Sequence, residues 1–349
     1  MQVASVERLT DDSVAMTFDV PPALRGEYSF AAGQHLTLRR VVGGEDVRRS
    51  YSICAPVGGP LRVAVKAVPG GVFSTHALTE LRAGDTVDVL TPTGTFTVAF
   101  DPASTRSYAF VAAGSGITPV LSLIATALSA EPSSRCTLLY GNRTTGSVMF
   151  LEELADLKDR YPDRFHLVHV LSREDGEVEL FHGRLDPDRL GRILDALLPP
   201  SEVDEWFLCG PYEMVRGAQH VLASRGVPAS AVHVELFFVE DAPVAARAPV
   251  AVEASSVEAS EVTIVLDGRS TTLPVRPDEK VLDAALRVRG ELPFACKGGV
   301  CSTCRAKLIE GEVRMDRNYA LEPDEVAAGY VLTCQSHPCT PKVLLDYDA

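Results

Sequence analysis

The sequence lacks an excess of basic residues: 33 Lys and Arg stand against 47 Asp and Glu, a formal net charge of −14. That balance excludes a nucleic-acid binder, which needs a basic face for the phosphates. It leaves room for steering toward a basic partner surface. No run of 18 apolar residues occurs either, so no membrane-spanning helix is expected. The start, Met1-Gln-Val-Ala-Ser-Val-Glu-Arg8, has no charged region followed by an apolar one. No secretion signal is readable there, and a cytoplasmic location is expected. The eight histidines never fall in an H-E-x-x-H pattern, and no Ser/His/Asp arrangement is readable. In a cytosolic chain the eight cysteines read as metal ligands or buried thiols rather than disulfides.

At 349 residues the chain is too long for one ordinary core, so two or three domains are expected. Residues 1–104 alternate apolar and polar over short runs punctuated by Gly and Pro, as in Leu61-Arg-Val-Ala-Val-Lys66. This predicts an antiparallel β-barrel or sandwich, with a helix only around residues 74–81. In residues 105–239 apolar strands alternate with helical stretches, which predicts a doubly wound parallel sheet with ligands at the carboxyl ends of its strands. Residues 240–261 are rich in Ala, Pro, Ser and Glu without periodicity and read as a linker. Residues 262–349 predict a small α+β domain: a hairpin turning at Asp267-Gly268, a helix over 281–289, a cysteine loop and closing strands.

That loop carries the strongest chemical signal. Cys296, Cys301 and Cys304 are spaced C-x4-C-x2-C, and Cys334 follows. This is the plant-type [2Fe–2S] spacing, in which four thiolates hold two irons. Gly298 and Gly299 suit a loop whose backbone N–H groups must approach inorganic sulfide. Structural zinc more often shows two matching pairs or histidines. Cys339 competes with Cys334 as fourth ligand, while Cys54 and Cys136 read as buried small residues.

Three further motifs point to nucleotides. In Arg48-Arg-Ser-Tyr-Ser-Ile53, Arg49 offers a phosphate partner, Tyr51 a stacking face and Ser52 a hydroxyl. Read alone, the same stretch is equally an exposed basic edge strand. Gly70-Gly-Val-Phe-Ser74 before a helix can cradle an anion with backbone N–H groups, or be a plain turn. Gly114-Ser-Gly-Ile-Thr-Pro119 joins a strand to a helix as phosphate-binding turns do, with Thr118 and Pro119 expected at the N-cap and first helical position. No acidic residue ends the second strand of this region; Asn142-Arg143 does, and Ser172-Arg173 ends the third. An Arg with a Ser favours a 2′-phosphate, hence NADPH over NADH, against the alternative of solvated loop charges. Cys209, in Leu208-Cys-Gly-Pro-Tyr212, would stand at the ligand edge of the sheet or be a buried small residue.

In this order, Arg49-Ser-Tyr-Ser52, Gly70-Gly71, Gly114-Ser-Gly-Ile-Thr-Pro119, Cys209-Gly-Pro211 and the cysteine run resemble the ferredoxin–NADP⁺ reductase family. The resemblance is to members with a C-terminal β-grasp, plant-type ferredoxin domain. It implies FAD stacked on Tyr51, with Arg49, Ser50 and the segment Val68, Gly70, Gly71, Val72 and Ser74 around its phosphates. Ser52 would lie near the flavin N5, and Thr118 near the isoalloxazine. NADPH would lie over Gly114, Gly116 and Thr118, with Arg143, Ser172 and Arg173 toward its 2′-phosphate and Cys209 and Gly210 by the nicotinamide. The segment Val234-Glu-Leu-Phe237 would close the far flavin face, with Phe237 or Phe238 covering the ring. Ser52, Cys209 and Glu235 are the catalytic candidates.

Within the family, Gly298-Gly-Val-Cys-Ser-Thr-Cys-Arg-Ala-Lys307, Asn318-Tyr-Ala-Leu-Glu322 and Gly329-Tyr-Val-Leu-Thr-Cys-Gln335 resemble the branch serving phenylacetyl-CoA epoxidases. That implies electron delivery from NADPH through FAD and [2Fe–2S] to a separate di-iron oxygenase subunit. Reductases of other oxygenases, steroid hydroxylases included, share the layout. A redox sensor would need an output module that the sequence does not show, and a stand-alone flavin reductase would need no cluster.

Overall fold

The computed structural model describes residues 1–42, 45–176, 178–237 and 259–349. The chain divides into two compact units, Met1–Phe237 and Phe238–Ala349.

The first unit begins with strands β1 (Gln2–Thr10), β2 (Ser13–Asp19), β3 (His35–Val42), β4 (Glu45–Ser52) and β5 (Arg62–Lys66), helix α1 (Val72–Thr79), and strand β6 (Asp88–Val89). They form two antiparallel sheets, ordered β1-β2-β5 and β4-β3-β6. Isolated bridges pair Ile53 with Val63 and Gln2 with Thr86, joining the free edges at both seams and closing the expected barrel. Closure removes the exposed edges that open sheets must protect. Alternation supplies the filling: Met16, Phe18, Leu36, Leu38, Val63 and Val65 meet inside.

The chain then runs through β7 (Ser107–Ala113), α2 (Ile117–Ala130), β8 (Arg135–Asn142), α3 (Leu151–Arg160), β9 (Phe165–Leu171), α4 (Pro187–Leu197), β10 (Glu205–Gly210), α5 (Tyr212–Ser224) and β11 (Val232–Leu236). The five strands form one parallel sheet in the order β11-β10-β7-β8-β9. After β7 the order grows one way and from β10 the other, so the topological switch lies between them. Ligand crevices open there, at the carboxyl ends. Helix α2 ties sheet to barrel: Ser122 donates to the Ala55 carbonyl (2.6 Å), and Thr126 accepts from the Val57 N–H (3.0 Å). Arg62 adds ion pairs to Glu153 at 2.8 Å and Glu7 at 3.0 Å.

One local expectation fails here. Helix α2 is capped by Gly116 and begins at Ile117, so Thr118 and Pro119 occupy its second and third positions rather than cap and first. The first turn has no intrahelical acceptors for its N–H groups, so proline is tolerated throughout it. The Thr118 hydroxyl donates to the Ser115 carbonyl at 3.0 Å.

The second unit holds β12 (Ser260–Leu266), β13 (Arg269–Val275), α6 (Val281–Ala285), β14 (Arg305–Glu310), β15 (Val313–Met315), α7 (Pro323–Ala327), β16 (Tyr330–Leu332), β17 (Ser336–Pro338) and β18 (Lys342–Asp346). The main sheet is ordered β13-β12-β18-β14-β16, with β12 and β18 parallel, and β15 pairs with β17. Val281, Leu282, Ala284 and Ala285 of α6 are buried in a core with Val262, Ile264, Val343 and Leu345, a helix grasped by a sheet. The hairpin turns at Asp267 and Gly268, both with positive φ, and Asp348 accepts from both of their N–H groups at 2.8 Å.

Two boundaries differ from expectation. Strand β12 begins at Ser260, two residues inside the expected linker, whose residues 240–258 lie outside the described residues. Helix α6 stops at Ala285 rather than 289, because the backbone tightens there: the Arg287 and Val288 N–H groups donate three residues back, to the Ala284 (3.2 Å) and Ala285 (3.0 Å) carbonyls. The short elements β15, α7 and β17 carried too few residues for a readable period.

Candidate active site

The end of β4 turns its residues to different uses. Arg48 points inward and pairs with Asp46 at 3.0 Å, leaving Arg49 as the exposed cation. Tyr51, half-buried, lies 5.5 Å from the Phe73 ring of α1, and the Ser50 hydroxyl lies 3.4 Å from that of Thr37. Before α1 the chain winds tightly: the Gly71 N–H donates to the Val68 carbonyl (2.8 Å) and the Val68 N–H to the Ser74 hydroxyl (3.2 Å). Gly70 has φ +70°, and a Cβ on Gly71 would come within 2.6 Å of Ser74 Oγ. Val68 and Val72 flank this turn with 44% and 43% exposure, apolar surface laid open beside an aromatic face.

The three catalytic candidates come together. Ser52 Oγ donates to Glu235 Oε2 at 3.0 Å, although 183 residues separate them. Glu235 lies directly across the β10–β11 register from Cys209. Burial pushes the Glu235 carboxyl up to about 8, with the Ser52 hydroxyl pulling the other way. Burial, and next the Glu235 carboxylate, push the Cys209 thiol well above its ordinary value. His35 escaped the sequence reading: it pairs with Ser52 across β3 and β4, is buried, and among the described residues has no partner for its Nε2.

At the switch point, two loops interlock. A Cβ on Gly116 would meet the Cys209 carbonyl oxygen at 2.2 Å, so this backbone approach requires glycine. Gly114 has φ +54°, and its carbonyl accepts from the Tyr140 hydroxyl at 2.9 Å, a tie no local motif announced. Gly210 ends β10 beside them. Farther along the edge, the N–H groups of Ser172 and Arg173 donate to the carbonyls of Asn142 (2.9 Å) and Arg143 (2.8 Å). This brings together Arg143 and Arg173, both exposed. Phe237 packs, half-buried, against the core of this sheet, while Phe238 lies outside the described residues.

In the second unit the four expected ligands converge as two pairs, Cys296 with Cys301 and Cys304 with Cys334. The Cys301 thiol, then the N–H groups of Gly298, Val300 and Cys301, hold the Cys296 thiol below its ordinary value. Lys297 and Ser302 take positive φ without being glycine, and Gly299 does so at +79°, its Cβ position 3.2 Å from the Arg317 carbonyl. Such backbone persists where surrounding contacts over-determine it. Gln335, outside the motif, donates to the carbonyls of Lys297 (2.8 Å) and Cys334 (2.9 Å). Cys339 is exposed, with its sulfur facing the His337 carbonyl at 3.7 Å. Two thiol pairs ringed by backbone donors fit two irons, each taking two thiolates.

Family models match the chain in the same order: an oxidoreductase FAD-binding domain over 1–98, an oxidoreductase NAD-binding domain over 110–220 and a 2Fe-2S iron-sulfur cluster binding domain over 264–339. The chain is 46% identical over 353 residues to a subunit of the 1,2-phenylacetyl-CoA epoxidase of Escherichia coli (strain K12), covering 100% of this chain and 97% of that protein. It belongs to the ferredoxin–NADP⁺ reductase family. This reductase is therefore a flavin and iron–sulfur oxidoreductase that uses FAD, a [2Fe–2S] cluster and a nicotinamide nucleotide. It is also 32% identical to the ferredoxin reductase component of 3-ketosteroid-9-alpha-monooxygenase of Rhodococcus rhodochrous, over 99% of this chain and 96% of that one. The phthalate dioxygenase reductase structure shares its fold, with a TM-score of 0.59, 23% identity, and 99% and 96% coverage of the two chains.

Proposed function

We propose that this reductase passes electrons from NADPH to the separate di-iron oxygenase subunit of a cytoplasmic phenylacetyl-CoA epoxidase, in phenylacetate degradation. The observation that carries this reading is the 46% identity, end to end, to a subunit of such an epoxidase. Among the described residues, no helix is long and apolar enough to cross a membrane.

When bound, FAD accepts a hydride from the nicotinamide and the cluster accepts the electrons one at a time, so the protein's contribution is placement and electrostatics. Tyr51 supplies the flat face for the flavin, Arg49 the charge for its pyrophosphate, and the 68–74 turn the apolar walls and N–H groups. The Ser52 hydroxyl, held by Glu235, would face the flavin N5. The Cys209 thiol stays uncharged, so it packs against the nicotinamide without repelling hydride. Gly116 lets the nucleotide loop sit on the Cys209 backbone. Arg143, Ser172 and Arg173 receive the 2′-phosphate, and Phe237 shields the flavin. Cys296, Cys301, Cys304 and Cys334 hold the cluster. In this reading the flavin part spans 1–104, the nucleotide part 105–239 and the ferredoxin part 262–349.

An anaerobic stopped-flow titration with NADPH and then NADH tests the relay. Flavin bleaching followed by cluster bleaching, faster with NADPH, is expected. Cluster bands that never bleach would sink the reading. The relative from a steroid monooxygenase supports a second acceptor class, and oxygen uptake with a purified epoxidase oxygenase component against a steroid oxygenase decides between them.

A further inference from the structure

Beside the cysteine loop the second unit carries an open hollow of about 490 Å³, lined by Lys280, Lys297, Gly298, Asp316, Arg317 and Gln335. Its wall is shared with the ligand loop. The Gly298 N–H donates to Cys296 Sγ at 3.3 Å, and Gln335 donates to the carbonyl of Cys334. Three of the lining side chains are cationic and one is anionic. The anion is already engaged: Asp316 faces His337 Nε2 at 2.9 Å, Arg314 at 3.7 Å and Lys280 at 4.0 Å. Lys297 reaches out of the hollow to Asp283 at 2.9 Å and lies over the Phe294 ring. Arg317 is half-buried, and among the described residues its guanidinium makes no ion pair or hydrogen bond.

This charge runs against its surroundings. Residues 259–349 hold 11 Lys and Arg against 14 Asp and Glu, within a chain of net charge −14. A half-buried guanidinium loses hydration and gains nothing until an anion meets it. Its planar fork matches a carboxylate in a way that an ammonium does not. Electron tunnelling falls steeply with distance, so an acceptor must come close to the cluster ligands, and the hollow's own wall touches two of them.

We propose that this hollow is the docking point for a carboxylate side chain on the surface of the electron-accepting oxygenase component, received by Arg317 with Lys280 and Lys297 at its rim. The inference rests on the oxygenase-reductase reading above. Charge complementarity of this kind sets partner choice and association rate, so salt weakens it.

The test uses the intact chain loaded with FAD and cluster, as wild type, Arg317→Glu and Arg317→Lys, with the purified oxygenase component. Two quantities are measured: the KM for the oxygenase component across ionic strength, and the rate at which NADPH bleaches the cluster in its absence. Arg317→Glu is expected to raise that KM about tenfold and to flatten its salt dependence. Arg317→Lys, which keeps the charge and loses the fork, is expected to give an intermediate KM with the wild-type salt dependence, and both variants to bleach the cluster at the wild-type rate. An unchanged KM in Arg317→Glu overturns the proposal, as does slower cluster bleaching with an unchanged KM, which would assign the hollow to internal transfer. A wild-type protein that bleaches its cluster yet delivers nothing to the oxygenase component would overturn the functional reading instead.

Discussion

Cys209 and Cys296 show how differently one chain can treat two thiols. Cys209 sits in a central parallel strand, and burial drives its thiol well above the ordinary value. Cys296 sits in a loop where a neighbouring thiol and three backbone N–H groups drive it below. Burial alone does not set the direction: in the loop the proton stays on Cys301, whose thiol is driven up, while that thiol and the N–H donors favour the thiolate of Cys296. A regular strand gives its N–H groups to its neighbours and has none left for a side chain. The loop, with Lys297, Gly299 and Ser302 at positive φ, turns its N–H groups inward. On the proposed reading, the first arrangement suits a thiol that stays neutral beside a hydride, and the second suits thiolates that bind iron.

The comparison is broken most completely on the cluster side. Cys301→Ala removes a ligand and the partner of Cys296, so cluster absorbance and reduction of one-electron acceptors are expected to be lost. NADPH-dependent reduction of a two-electron dye should remain within about twofold, and its loss as well would show that the two sites do not work separately. On the other side, Gly116→Ala places a methyl group 2.2 Å from the Cys209 carbonyl. Backbone must move, at a typical cost of about 1–3 kcal/mol. Flavin reduction by NADPH is expected to slow by about 10- to 100-fold while the cluster spectrum is unchanged. A smaller effect is expected at the sheet edge: Arg173→Ala should raise the KM for NADPH about tenfold, the scale of one charge-assisted contact, and leave that for NADH unaltered. Equal effects on both nucleotides would remove the 2′-phosphate from the role given to this residue.

Sequence and structure agree most where chemistry needs neighbours close in the chain. The cysteine run, the Gly-Ser-Gly turn and the Asp267-Gly268 hairpin each state a local geometry; the hairpin turns where expected, while the helix after Gly114-Ser-Gly116 starts two residues early. The barrel was legible from alternation, though its closure depends on pairs such as Gln2 with Thr86, which no local pattern announces. The contacts that assemble the site were least legible. Ser52 meets Glu235 across 183 residues, Tyr140 holds Gly114, and Gln335 braces the Lys297 carbonyl. Those partners are ordinary residues in ordinary strands or loops, made functional only by sheet order and register. Short elements failed for another reason: three to five residues cannot display a period, so β15, α7 and β17 had no signature.

Glu235 provides the finest test of the contrast, because it is the group whose charge the first site suppresses. Burial raises its carboxyl from 4.5 to about 8, and the hydroxyl of Ser52 only moderates this. Between those values the folded chain holds a proton that the unfolded chain has released. Stability contributed by this group is therefore full below about 4.5 and falls as pH rises through about 8. Glu235→Gln keeps an acceptor oxygen for the Ser52 hydroxyl but cannot ionise. The variant is expected to melt close to wild type at pH 4.5 and clearly above it at pH 8.5, with a gap that widens steadily between those values. A Tm difference that does not change with pH would mean that Glu235 does not titrate in this window. The carboxylate would then stand charged beside Ser52 and Cys209, at the place where the proposed reading puts the nicotinamide.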